Sequence, residues 1–128
     1  VLDSWAPGRR FFNLYGPTET TVTSVMTELR QGEPIVIGRS LASYENVVLN
    51  AATLAPVPHG EQGVLFTGGP GVARGYLNDE AKTRERFLEV PGLGRAYNTG
   101  DVVSQDEDGS FHWIGRADFQ AKVRGNRI

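Results

Sequence analysis

Between Asn13 and Val22 the chain reads NLYGPTETTV, with a single carboxylate set among hydroxyl groups just past a Gly-Pro break. Glu19 is a hard oxygen donor of the kind Mg2+ takes, and the Thr18 hydroxyl can donate to a phosphate oxygen. Tyr15 offers a flat face on which a nucleobase can stack. The plainer alternative is a strand-to-strand turn with Tyr15 in the core, because Gly16-Pro17 alone is enough to bend a chain. On these residues the two readings stand level.

Three further stretches hold groups that could do chemistry. In YNTGD, Asp101 follows a Thr-Gly turn and could accept from two vicinal hydroxyls, as acidic residues do with ribose in dinucleotide sites. An Asp in that position also serves as a turn residue bonded to nearby backbone. In GRADFQAKVRG, Arg116, Lys122 and Arg124 flank Asp118, and cations so placed would stabilise negative charge developing on a polyphosphate or carboxylate. A solvated strand face is the alternative there. The glycine-rich GGPGVARGYL has neither the GxxxxGK[ST] pattern nor GxGxxG spacing before a helix, so it reads as structural, with Tyr76 and Leu77 packed beneath it. His59 and His112 form no metal or triad spacing, and no serine is linked to a base.

The elements that must carry these groups are short. RFFNLY reads as a strand running into Gly16-Pro17, and the dense Thr/Val of TTVTSVMTELR favours strand over helix. PIVIG, YENVVLN and GVLFTGG are further strand candidates, separated by the proline-bearing turn region AATLAPVPHGEQG. Asn78 or Asp79 can cap a helix over DEAKTRERFLE, stopped by Pro91-Gly92. Two strands around Asp108-Gly109 give a hairpin over RAYNTGDVVSQDEDGSFHWIG. The sum predicts a mainly β unit: a small, distorted antiparallel barrel-like sheet with one short-to-medium helix.

Bulk properties narrow the class. The 128 residues suffice for one domain with its own core, and 39% hydrophobic with 22% charged residues is ordinary for a soluble protein. A net charge of −2 argues against nucleic acid or an anionic membrane as partner. Without cysteine, neither a disulfide frame nor a thiolate site can form. No apolar run nears the roughly 20 residues of a membrane span. A cytoplasmic, soluble module is the expectation.

Taken in order, NLYGPTETTV, GVARGYLNDEAKTRERF and YNTGDVVSQDEDGSFHWIGRADFQAKVRGNRI closely resemble successive core motifs of the adenylation domains of non-ribosomal peptide synthetases. These domains belong to the acyl-adenylate-forming superfamily, which also holds acyl-CoA synthetases and luciferases. The resemblance runs from about Phe11 to Ile128, and Gln120 before Lys122 is similar to the peptide-synthetase form. It implies a fragment of an α/β adenylate-forming enzyme: residues 1–118 from the end of the large part, and 119–128 the hinge exit and start of the small C-terminal domain. The implied activity joins an amino acid or other carboxylic acid to AMP with ATP and Mg2+, then passes the acyl group to a phosphopantetheine thiol on a carrier domain.

By the same resemblance Tyr15 stacks on adenine, Asn13 bonds near the base, Thr18 contacts the α-phosphate and Glu19 holds Mg2+. Asp101 accepts the ribose hydroxyls with Arg116 nearby, Asp118 is the hinge, and Lys122 enters the site for thioester formation. Leu14, Val22 and Thr23 match positions lining the acyl pocket, giving it a small, largely apolar wall. Trp113 stands where the family often has Tyr. The family's phosphate-binding loop, most of its pocket and its second lysine have no match here, so the chain by itself is expected not to form adenylate. A matching piece of an acyl- or aryl-CoA ligase or carboxylic-acid reductase, and a non-catalytic β-barrel interaction module, are the competing readings.

Overall fold

The computed structural model describes residues 1–117 and, past them, the backbone of two short paired strands. A one-turn helix α1 (Leu2–Trp5) leads to β1 (Phe11–Tyr15), β2 (Val25–Leu29), β3 (Arg39–Ser40), β4 (Glu45–Leu49) and β5 (Gln62–Gly68). Helix α2 (Glu80–Arg86) runs directly into β6 (Phe87–Val90), followed by β7 (Gly94–Gln105), β8 (Phe111–Arg116), β9 (Lys122–Val123) and β10 (Asn126–Arg127). One antiparallel sheet has the order β1-β2-β3 and a second β4-β5-β7-β6, with β8 also on β7. The sheets are stitched where Ile37 N donates to Phe111 O (3.0 Å) and Phe111 N to Gly38 O (2.7 Å). The result is the mainly β, curled antiparallel unit that the strand pattern predicts.

Burial explains the continuous apolar run in β5. Side chains alternate across a strand, and here both faces are covered. Leu65 joins Val25, Ile37, Val48, Val103 and Phe111 between the two sheets. Val64 and Phe66 face the other way, against Leu49, Val90 and Ala96. Tyr15 packs on the edge of the inter-sheet core, which carries β1 to the site.

Several elements differ from their sequence expectation. PIVIG is no strand: only Gly38 pairs, with Phe111, and residues 34–37 cross the mouth of the inter-sheet space instead. In DEAKTRERFLE the helix ends at Arg86, and Phe87-Leu88-Glu89 pair with β7. A seven-residue helix is marginal alone, whereas the strand buries Phe87 and Val90. Of the two candidate caps Asp79 serves, its carboxylate accepting from Lys82 N at 3.0 Å. Leu77, expected to pack, is 91% exposed, just before the left-handed Asn78 (φ 55°). TTVTSVMTELR is strand only from Val25 onward. The opening residues before RFFNLY contain the one-turn α1.

Gly16 is required by close approach: a Cβ there would lie 2.7 Å from Val22 O and 2.8 Å from Ser24 N. Those backbone atoms cannot move aside, since Ser24 N donates to Tyr15 O at 2.9 Å. Gly16→Ala is expected to cost about 1–3 kcal/mol of stability by overpacking. Urea unfolding of the two chains checks this, and an unchanged midpoint would contradict it.

Candidate functional site

The site's carboxylate is delivered by an irregularity in β7. Val64 faces Val102 and Phe66 faces Asn98, so Leu65 alone stands opposite Thr99, Gly100 and Asp101. Such a bulge bends the strand and re-aims a side chain. Gly100 supplies the left-handed step (φ 72°). Thr99 Oγ1 donates to Leu65 O (2.8 Å) and accepts from Asp101 N (3.0 Å), closing the gap in the ladder. YNTGD is thus not a turn between elements but a bulge within β7, and it turns Asp101 out of the β5 ladder.

Asp101 is only 9% exposed and accepts three side-chain hydrogen bonds among the described residues. Tyr15 from β1 donates its hydroxyl to Oδ2. Trp113 Nε1 and Arg116 Nη1, both from β8, each donate to Oδ1 at 3.1 Å. Arg116 Nη1 also donates to Thr99 O at 2.9 Å, so it is fixed on both sides. A buried carboxylate needs this degree of pairing. Burial, and next the adjacent Asp101 charge, push the Tyr15 phenol well above its ordinary range.

These groups line a cleft of about 850 Å3 between the sheets, together with Asn13, Leu14, Gly16, Pro17 and Thr18 from the opening motif. The crossing segment closes one side, with Ile35, Val36 and Ile37 in the lining. Asn13 Nδ2 donates to Val36 O at 2.8 Å and so ties that segment to β1.

Past Pro17 the chain forms one turn of 3-10 helix over Thr18–Thr20. Thr18 is exposed, whereas Glu19 is 7% exposed and is not among the residues lining the cleft, its Oε1 accepting from Tyr76 OH at 2.6 Å. Thr21 and Val22 follow in left-handed conformation (φ 55° and 70°), and Val22 points to solvent at 71% exposure. Val22 and Thr23 lie outside the cleft lining, unlike Leu14. Asp118 lies outside the described residues. Lys122 is described only as backbone in β9.

Four participants were not identifiable from residue type. The Val36 carbonyl is backbone, Thr99 reads as a turn residue, and Tyr76 is 57 residues from Glu19. In sequence Trp113 stands out only as a departure from Tyr, yet its indole N–H donates to one oxygen of Asp101. Among the described residues no group of three His, Cys, Asp or Glu is placed to hold a metal, and no helix is long and apolar enough to cross a membrane.

A curled antiparallel unit carries a Tyr-Gly-Pro-Thr-Glu turn on the rim of a carboxylate-centred cleft. The family model described as AMP-binding enzyme matches residues 2–77, more than half of the chain, and the chain belongs to that family. Its relatives include peptide synthetases. It is 46% identical over 132 residues to phosphinothricin tripeptide synthetase PhsC of Streptomyces viridochromogenes, and 41% identical over 134 to delta-poly-L-ornithine synthetase of Acinetobacter baumannii. All of this chain is matched in both, against 12% and 10% of those proteins. Among solved structures, PA1221, an NRPS protein containing adenylation and PCP domains, matches at TM-score 0.86 and 35% identity, over 95% of this chain and 26% of that one. NpsA-ThdA, an artificially fused adenylation-PCP di-domain NRPS from Klebsiella oxytoca, gives 0.79 and 36%, over 93% and 23%. The chain therefore spans a small part of the proteins it matches.

The raised Tyr15 phenol has a pH consequence. Unfolded, Tyr15 loses its proton near pH 10, while the folded chain retains it. Above that pH the unfolded state binds fewer protons, so stability falls as pH rises, by up to about 1.4 kcal/mol per unit from this group; below it the group adds no pH dependence. Thermal unfolding from pH 8 to 11 is expected to show the alkaline loss, reduced in Tyr15→Phe. Equal slopes in both chains would contradict it.

Proposed function

We propose that this chain is part of an ATP-dependent adenylation domain that activates an amino acid for non-ribosomal peptide synthesis. The observation that carries the reading is the convergence of Asn13, Tyr15, Thr18, Asp101 and Arg116 on one cleft, although 86 residues separate Tyr15 from Asp101. Asp101 has the chemistry to accept the two ribose hydroxyls, with Arg116 beside it. Tyr15 and Asn13 would hold the base, and the exposed Thr18 hydroxyl is available to an α-phosphate oxygen. Membership of the AMP-binding enzymes and peptide-synthetase relatives support the same assignment.

Adenylation is an in-line displacement: a substrate carboxylate oxygen attacks the α-phosphorus and pyrophosphate leaves. No protein nucleophile is needed, only positioning and charge compensation. Mg2+ fits the donors present, because it is held by one or two carboxylates together with phosphates and water rather than by a cluster of protein ligands. Glu19 would hold it, and the ion would supply charge neutralisation on the phosphates. Leu14, with Val22 and Thr23, would contribute to the acyl wall, Asp118 would act as hinge, and Lys122 would enter for thioester formation with a carrier-bound phosphopantetheine. The remainder of the domain and a carrier domain are the partners this chemistry requires, and the cytoplasm, where ATP is held, is its compartment.

Calorimetric titration with ATP tests the reading. Asp101→Asn removes the charged acceptor while keeping its shape, and the loss of hydrogen bonds to a charged group is expected to weaken ATP about ten- to hundredfold. Unchanged affinity would remove Asp101 from the nucleotide site.

A further inference from the structure

The glycine-rich stretch through Tyr76 reads as structural in the sequence, yet it is laced to the turn that carries Glu19. Ala73 N donates to Glu19 O and Thr21 Oγ1 to Gly71 O, both at 2.8 Å. Tyr44 OH, lying where Gly71 has no Cβ, donates to Thr20 O at 2.8 Å. Arg95 holds the stretch from behind, donating Nη1 to Ala73 O (2.7 Å) and Nη2 to Arg74 O (2.8 Å).

At the end of this stretch Tyr76 is fixed at both its backbone and its ring. Its N–H donates to Thr83 Oγ1 at 2.9 Å. Its ring meets Phe87 edge-on at 5.6 Å, and Phe87 in turn lies 5.1 Å from Tyr97. The hydroxyl so placed reaches the Glu19 carboxylate at 2.6 Å.

We infer that Tyr76 is a positioning residue for Glu19, fixing one carboxylate oxygen so that the side chain meets a nucleotide-bound divalent cation in a single orientation. The inference rests on the reading of Glu19 as the metal-holding carboxylate. A free glutamate has several rotatable bonds to immobilise on binding, and a bond already made in the protein removes part of that cost. The donor is a neutral phenol, so its hydrogen bond orients the carboxylate without itself bringing a positive charge to it. Partners that orient metal-holding groups typically govern affinity by about 10- to 100-fold.

The test is the ratio of ATP affinities measured calorimetrically with Mn2+ and with EDTA, for the wild-type chain, Glu19→Gln and Tyr76→Phe. Phenylalanine keeps the ring contacts and removes only the hydroxyl. The metal-dependent gain in affinity is expected to fall about tenfold or more in both variants, with affinity in EDTA held within about twofold. A purely structural tyrosine would weaken both conditions alike and leave the ratio unmoved, and that result in Tyr76→Phe beside a reduced ratio in Glu19→Gln overturns the positioning role alone. A ratio that is unity in the wild type, or unchanged in Glu19→Gln, overturns the metal reading of Glu19 and the positioning role with it.

Discussion

One buried carboxylate organises this molecule. A carboxylate at 9% exposure needs strong hydrogen-bond donors, and Asp101 draws them from β1 and β8 while standing on β7. The two sheets must therefore be set at one distance and twist for Tyr15 to reach it. The inter-sheet core of Val25, Ile37, Leu65, Val103 and Phe111 supplies that distance. Removing the hydroxyl of Tyr15 and opening that core are, on this account, two ways of disturbing the same contact. Architecture and chemistry share a residue here.

Part of the backbone strain lies next to the site. Thr21 and Val22 are β-branched residues in left-handed conformation, each costing on the order of 1–3 kcal/mol. Local bonds hold them there: Thr23 N donates to Thr21 O at 2.8 Å and the Thr21 hydroxyl is tied to Gly71. The strained pair follows the 3-10 turn directly and so helps set how Glu19 is presented. The same stitching makes the glycine-rich stretch a support for the turn rather than a passive connection.

Local signals in the sequence carried the fold a long way. The Asp108-Gly109 hairpin, the Asp79 cap and strands β1, β4, β5 and β7 follow from turn chemistry and from runs of β-branched and aromatic residues. PIVIG misled because an apolar β-branched run fits a ladder equally well whether or not a neighbour exists to pair with it, and here only Gly38 finds one. Phe87–Val90 misled because β7 offered pairing that outweighed the end of a weak helix. Asn13, Tyr15, Thr18, Asp101 and Arg116 were legible as candidates by residue type and motif order, and the structure brings all five to one cleft. The contacts among them were not legible, since a backbone carbonyl such as that of Val36 or a partner 57 residues away leaves no local pattern.

The most direct measurement follows the indole protons of the chain's two tryptophans by NMR while AMP, and separately 2′,3′-dideoxy-AMP, is added. Trp113 Nε1 is bonded to Asp101, so its proton reports on any new donor that reaches the carboxylate, while Trp5 serves as internal control. A saturable shift of the Trp113 signal with AMP, absent or much weaker with the dideoxy form, is the expected result. Equal shifts with both ligands, or none with either, would contradict Asp101 as the ribose-binding carboxylate.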